Sequence, residues 1–170
     1  DDTLVMPPVK EDDRADLPKF ADFLHWKLPE PRLKTLRDHN QWRPLVRAYL
    51  ASTSLMDSQV GRVMEALRQA GAWENTIVIV WGDHGWHLGD HGAWTKHTNY
   101  EQANRIPMFI VAPGVAKPGA TRQFAETVDI YPTLVELAGL PKPSVPQPLE
   151  GVSLVPVLRD PNTRVHDHAY

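Results

Sequence analysis

The sequence predicts an α/β fold with a mostly parallel central sheet flanked by helices, and three observations carry that prediction. A long helical pattern precedes a short, uninterrupted apolar run, and Gly82-Asp83-His84-Gly85 follows where that run must end. Helix, turn and buried strand in succession are the mark of a sheet with helices packed on it. The carboxyl end of such a strand is where open α/β sheets bind ligands.

Taken in order, residues 1–42 are broken by Pro7, Pro8, Pro18, Pro29 and Pro31, too often for a long helix. This first segment is expected to be extended and to wrap a surface formed elsewhere. From Arg43 to Ala70, Leu45, Val46, Tyr49, Leu50, Met56, Val60, Val63, Met64 and Leu67 recur mostly at three- and four-residue spacing, which puts them on one helix face. Pro44 suits the first turn and Gly71 the stop. Thr76 to Trp81 is β-branched without polar alternation, as in a strand covered on both faces and central in a parallel sheet. A loop rich in Gly, His and Trp runs to about Arg105, and Pro107 to Ala112 is a second strand closed by Pro113-Gly114. Asp129 caps a short helix through Ala138, with Pro132 in its first turn and Gly139 at its end. Residues 141–170 turn proline-rich again and read as a connection.

Composition narrows the function. The hydrophobic share of 42% and charged share of 23% are ordinary for a globular protein. A net charge of −3 with both signs mixed offers no basic surface for nucleic acid. No apolar run approaches the roughly 20 residues of a membrane span. Cysteine is absent, which excludes disulfides, thiolate metal sites and a cysteine nucleophile within these residues.

Half of the 8 histidines fall between Gly82 and Thr98. Asp83 and His84, just past a buried strand and flanked by glycines, are placed to bind a metal. The alternative is that Asp83 caps a turn and His84 bonds only to backbone. His87, His91 and His97 can be imagined joining His84 around zinc, but their spacings do not suit one helix face, and an Asp-led site also serves a hard cation such as calcium. His87 and His91 are expected to be loop scaffold that bonds carbonyls around the glycine turns, and Asp90 a turn residue. Lys96 is far enough along for the loop to return its ammonium to the Asp83–His84 pocket, where it can neutralise an oxyanion; otherwise it is a solvated surface lysine.

The run from Trp81 to Glu101 resembles the second conserved block of the sulfatases, nearest the iduronate-2-sulfatase-like branch of the alkaline-phosphatase-like superfamily. The stretches Tyr49 to Arg62, Thr127 to Leu140 and Glu150 to Leu154 resemble the same family in the same order. The resemblance implies a fragment of an alkaline-phosphatase-like sandwich, with residues 43–140 part of its catalytic domain. It implies hydrolysis of sulfate esters by a formylglycine made from a Cys/Ser-x-Pro-x-Arg motif, with a calcium ion holding the sulfate oxygens. Asp83 and His84 match two calcium ligands, although many sulfatases carry Asn where His84 stands. Lys96 matches the lysine that contacts the sulfate, and His97 is a second candidate for substrate contact.

No Cys-x-Pro-x-Arg or Ser-x-Pro-x-Arg occurs in these residues; Pro143-Ser144-Val145-Pro146 does not supply one. The chain is therefore expected to be a piece cut on both sides, inactive alone. Its partners are the N-terminal half that carries the formylglycine, a C-terminal subdomain beyond residue 170, and a sulfated sugar or glycosaminoglycan as substrate. An exported or lysosomal setting follows from the resemblance. Trp94 either shapes the pocket wall or packs under the loop, and Asn99, Tyr100 and Glu101 order it. Two rivals stand beside this reading: a phosphatase or phosphodiesterase of the same superfamily with two transition metals, and a non-catalytic homologue that binds sulfated glycan.

Overall fold

A computed structural model describes residues 3–20, 32–144 and 146–169. Pro29, Pro31 and Val145 lie outside the described residues. The chain divides into two compact units, Asp1–Ala70 with Gly82–Pro107, and Gly71–Trp81 with Met108–Tyr170.

In the first unit, helix α1 (Leu33–Asp38) precedes the long helix α2 (Trp42–Gln69). α1 was not expected. The stretch between Pro31 and Pro44 is free of proline, and Leu33 and Leu36, three apart, bury one side of a short helix there. α2 starts one residue before its predicted place and holds Pro44 in its first turn. It ends at Ala70, after which Gly71 takes φ 66°, a left-handed conformation that costs glycine little. Only Val46 of α2 is buried; Leu55, Met56 and Val63 on the expected apolar face are exposed. Periodicity identified the helix but not what covers it.

The core of this unit gathers Leu36, Val46 and Trp94, with Leu4, Met6, Trp42, Leu45 and Leu88 packed around them. The N-terminal segment thus lies against this core through Leu4 and Met6. The Trp42 indole N–H donates to the Leu88 carbonyl at 2.7 Å, and the Arg37 guanidinium sits 4.7 Å over the Trp42 ring. Leu88 belongs to strand β1 (His87–Leu88), which pairs antiparallel with β2 (Trp94–Thr95), His87 opposite Thr95 and Leu88 opposite Trp94. A short helix, α3 (Glu101–Asn104), follows.

In the second unit, β3 (Val78–Trp81) pairs with β4 (Met108–Val111), Val78 opposite Val111 and Trp81 opposite Met108. Both strands fall inside their predicted ranges, but their pairing is antiparallel. Among the described residues both strand pairs run antiparallel, so the mostly parallel sheet is not formed by these residues alone. An apolar run says that both faces are to be covered; it does not set the direction of the neighbouring strand. Here β3 is only partly covered, and Trp81 and Phe109 are exposed.

Helix α4 (Ile130–Leu137) stands where the third helical element was predicted, and Gly139 follows at φ 64°. Asp129 does not cap it as expected. Its side chain instead accepts the Glu126 backbone N–H at 2.8 Å, half of a capping box around the tight turn Thr127–Asp129. Fully buried, Asp129 also accepts from the Val152 N–H at 2.9 Å and pairs with His166 Nε2 at 2.8 Å. Thr133 donates to the Asp129 carbonyl and accepts from the Leu154 N–H. These bonds seat Val155 and Val157, both buried on α5 (Val155–Arg159), beside α4. α5 was missed because Pro156 and the prolines before it read as a connection; proline is tolerated in a first turn.

Candidate functional site

The sequence-predicted residues Asp83, His84, Lys96 and His97 all fall in the first unit. The segment that bears them is tied at its base, where the Gly82 N–H donates to the Pro107 carbonyl at 3.1 Å. The Gly85 N–H donates to the Ala103 carbonyl at 2.7 Å. This approach requires glycine, since a β-carbon at residue 85 would overlap the Gln102 carbonyl oxygen.

Gly85 in turn orients His84. The imidazole Nδ1 lies 2.8 Å from the Gly85 carbonyl oxygen, which can only accept, so Nδ1 carries the ring hydrogen. Nε2 of the neutral ring is then a lone pair. It faces the Lys96 ammonium at 2.5 Å and lies 3.5 Å from Asp83 Oδ2. The Asp83 side chain is 86% exposed, while its Oδ1 accepts the His84 backbone N–H at 3.1 Å. A carboxylate, an imidazole lone pair and an ammonium thus meet in one place.

The β1–β2 hairpin brings Lys96 back. Gly89 turns at φ 134°, with no room for a side chain between Val9 and Trp42, and a tight turn over Asp90–Gly92 follows. Asp90 is the turn residue expected. Trp94 packs in the core, which settles its two alternatives in favour of packing. His97 is exposed and does not join Asp83 and His84 in a metal-ligating trio; among the described residues no three His, Asp or Glu side chains are so gathered.

His87 and His91 are scaffold, but they bond side chains rather than the expected carbonyls. His87, completely buried, reaches Thr98 Oγ1 with Nε2 at 2.7 Å. His91 takes φ 57°, meets Gln102 Oε1 at 3.1 Å and Asp13 Oδ2 at 2.9 Å, and stacks on Tyr100 at 4.1 Å between centroids. Tyr100 opens α3, and the Asn99 carbonyl accepts from Asn104. Sequence reading missed Thr98 and Asp13. A hydroxyl three places from two histidines was a weak signal for the first; nothing local marked the second, which comes from the proline-broken segment.

Comparison with known proteins identifies the group. The family model described as Sulfatase matches residues 7–140. The chain belongs to the sulfatase family. Among curated sulfatases it is 34% identical over 139 residues to a sulfatase of Formosa agariphila, covering 82% of this chain and 27% of that protein. It is 31% identical over 163 residues to mouse iduronate 2-sulfatase, covering 81% of this chain and 29% of that one. Among solved structures, one described as a 2-O GAG sulfatase aligns with a TM-score of 0.73 at 26% identity, over 96% of this chain and 37% of that chain. A phosphonate monoester hydrolase from Silicibacter pomeroyi aligns with a TM-score of 0.67 at 28% identity, over 99% of this chain and 34% of that one. The sulfatase chain therefore spans under a third of the length of the curated relatives it matches.

Proposed function

We propose that this chain is the part of a sulfatase that supplies two ligands of a calcium ion, Asp83 and His84, and a lysine, Lys96, that contacts the sulfate group. The observation that carries the reading is the meeting of Lys96 Nζ, His84 Nε2 and Asp83 Oδ2 within 2.5 and 3.5 Å. The donor chemistry suits the ion in part. An exposed carboxylate and an imidazole whose lone pair is set by Gly85 can each ligate, but calcium takes about 6 to 8 donors, so the remainder must come from other residues. When bound, the ion supplies positive charge that draws electron density from the sulfate oxygens.

Each residue of the chain then has a task. Asp83 presents its carboxylate at the strand end, and Gly85 holds His84 in the tautomer that leaves Nε2 open. The Lys96 ammonium opposes the negative charge that grows on the sulfate oxygens as the ester bond breaks. His97, next in the chain and exposed, is the second candidate to touch the sulfate or sugar. The formylglycine nucleophile belongs, in this reading, to residues that precede this chain, and the sandwich's mostly parallel sheet is completed by strands of the longer protein. Segment 1–42 wraps, 43–140 contributes to the catalytic domain and 141–170 leads to a further subdomain. The substrate is a sulfated sugar, such as a sulfated glycosaminoglycan, and the setting exported or lysosomal. Among the described residues no helix is long and apolar enough to cross a membrane.

The test is hydrolysis of a sulfated sugar by the protein that carries these residues. Asp83→Ala is expected to abolish it; wild-type turnover in that variant would refute the assignment. A second reading, a phosphate- or phosphonate-ester hydrolase of the same superfamily, is favoured by the likeness to the phosphonate monoester hydrolase. A larger kcat/KM on a phosphonate ester than on a sulfate ester, with two transition-metal ions bound, would select it. A homologue that binds sulfated glycan without cleaving it would show retention on the glycan and no turnover.

A further inference from the structure

The residue that holds the candidate lysine in place is not adjacent to it. His87 is completely buried and brackets Lys96 from both sides. Its backbone is the ladder partner of Thr95, the residue before the lysine. Its ring Nε2 lies 2.7 Å from the hydroxyl of Thr98, two residues after it. The Thr98 N–H donates to the Lys96 carbonyl at 2.8 Å, closing a three-residue turn around His97. The same hydroxyl accepts the Tyr100 N–H at 3.3 Å, and the Tyr100 ring meets the His87 ring edge-on at 6.0 Å.

Thr95 makes the need for such a clasp visible. It sits at φ 87°, a conformation that a β-branched residue adopts only under constraint. Strain of this kind persists where the surroundings over-determine the backbone, as the ladder before Lys96 and the hydroxyl bond after it do here.

We propose that His87 is a positioning residue for Lys96, acting through the Thr98 hydroxyl. The proposal rests on the reading of Lys96 as the sulfate-contacting lysine. It explains why a histidine is spent in a core position: only a ring with a polar edge can reach the hydroxyl while filling that space.

The experiment is a double-mutant cycle in the protein that carries these residues. Thr98→Val deletes the hydroxyl at similar volume, and Thr98→Ser keeps it. Thr98→Val is expected to lower kcat on a sulfate ester by about tenfold with KM changed by less than about twofold, while Thr98→Ser stays near wild type. In a Lys96→Ala background the same Thr98→Val change is expected to cost nothing further, because coupled residues do not add. An equal loss in both backgrounds, or no loss in either, overturns the proposal. Should Thr98→Val not fold, His87→Gln, which keeps a polar edge, is compared with His87→Phe, which does not; equal kcat in the two overturns it. Crystal structures give a readout independent of turnover. Lys96 Nζ is expected beside His84 Nε2 with Ser at residue 98 and displaced with Val, and an unmoved Nζ in the Thr98→Val protein contradicts positioning. A wild-type protein inert on sulfate esters would sink the functional reading alone, leaving these structures to decide the positional one.

Discussion

Lys96 Nζ lies 2.5 Å from His84 Nε2, and the opposite nitrogen of the same ring is held by the Gly85 carbonyl at 2.8 Å. The ring is thereby fixed in orientation and tautomer by backbone, and its open lone pair is turned toward the one side chain that can bring positive charge to an anion there. The Asp83 carboxylate 3.5 Å away adds a second donor for a cation. The expected outcomes below come from altering each part of this arrangement in turn.

Removing the ammonium should affect turnover more than binding, because its interaction strengthens as charge develops. Lys96→Ala is expected to lower kcat by about 10² to 10³, the usual consequence of losing one group that stabilises an oxyanion. Lys96→Arg should restore little, since a planar guanidinium does not replace a compact ammonium held against an imidazole. Steady-state kinetics on a sulfate ester check both.

The imidazole lone pair can be replaced by an oxygen. His84→Asn is expected to retain calcium with affinity weakened by about tenfold, whereas His84→Ala should weaken it by about a hundredfold, in line with the effect of disturbing metal-site residues. Calorimetric titration with calcium separates the two. Equal affinities in all three proteins would remove His84 from the ligand set.

Gly85 links the site to the fold. Its amide bonds Ala103, and a β-carbon there would overlap the Gln102 carbonyl. Gly85→Ala is therefore expected to destabilise the protein by about 1 to 3 kcal/mol, the range for forced overpacking. Thermal unfolding measures the loss, and calcium affinity should fall with it because the Gly85 carbonyl orients His84. An unchanged Tm would mean that the loop has room that the backbone does not show.

In the second unit the buried Asp129 carboxylate holds the Glu126 and Val152 amides and the His166 ring. Asp129→Ala is expected to cost about 3 kcal/mol, since it strands two buried amides and an imidazole. His166→Ala, at the partly exposed end of the same network, should cost about 1 kcal/mol, the worth of a single hydrogen bond. Chemical denaturation of the two variants tests the ranking.

How much of this was readable from the residues alone differs by element. The long helix was plain because Val46, Met56, Val63 and their neighbours repeat with the helical period, and Gly71 marks its end. The strand Val78–Trp81 was plain from β-branching. Its antiparallel partner was not, because composition reports coverage and not direction. α1 and α5 were hidden by prolines that turn out to flank them or to sit in a first turn. At the site, Asp83, His84 and Lys96 stood out by their place after a strand and by family likeness. That the lysine returns to His84 depends on the β1–β2 hairpin, and on Thr98 and His87 acting across eleven residues. Contacts at that separation leave no periodic trace, and the Asp13–His91 pair, from the proline-broken segment, leaves none at all.

The most direct measurement is the metal content of the protein that carries these residues, compared with its Asp83→Ala variant. One calcium ion per chain in the first and none in the second is the result expected. Two transition-metal ions in the first, or calcium retained undiminished in the second, would contradict the account.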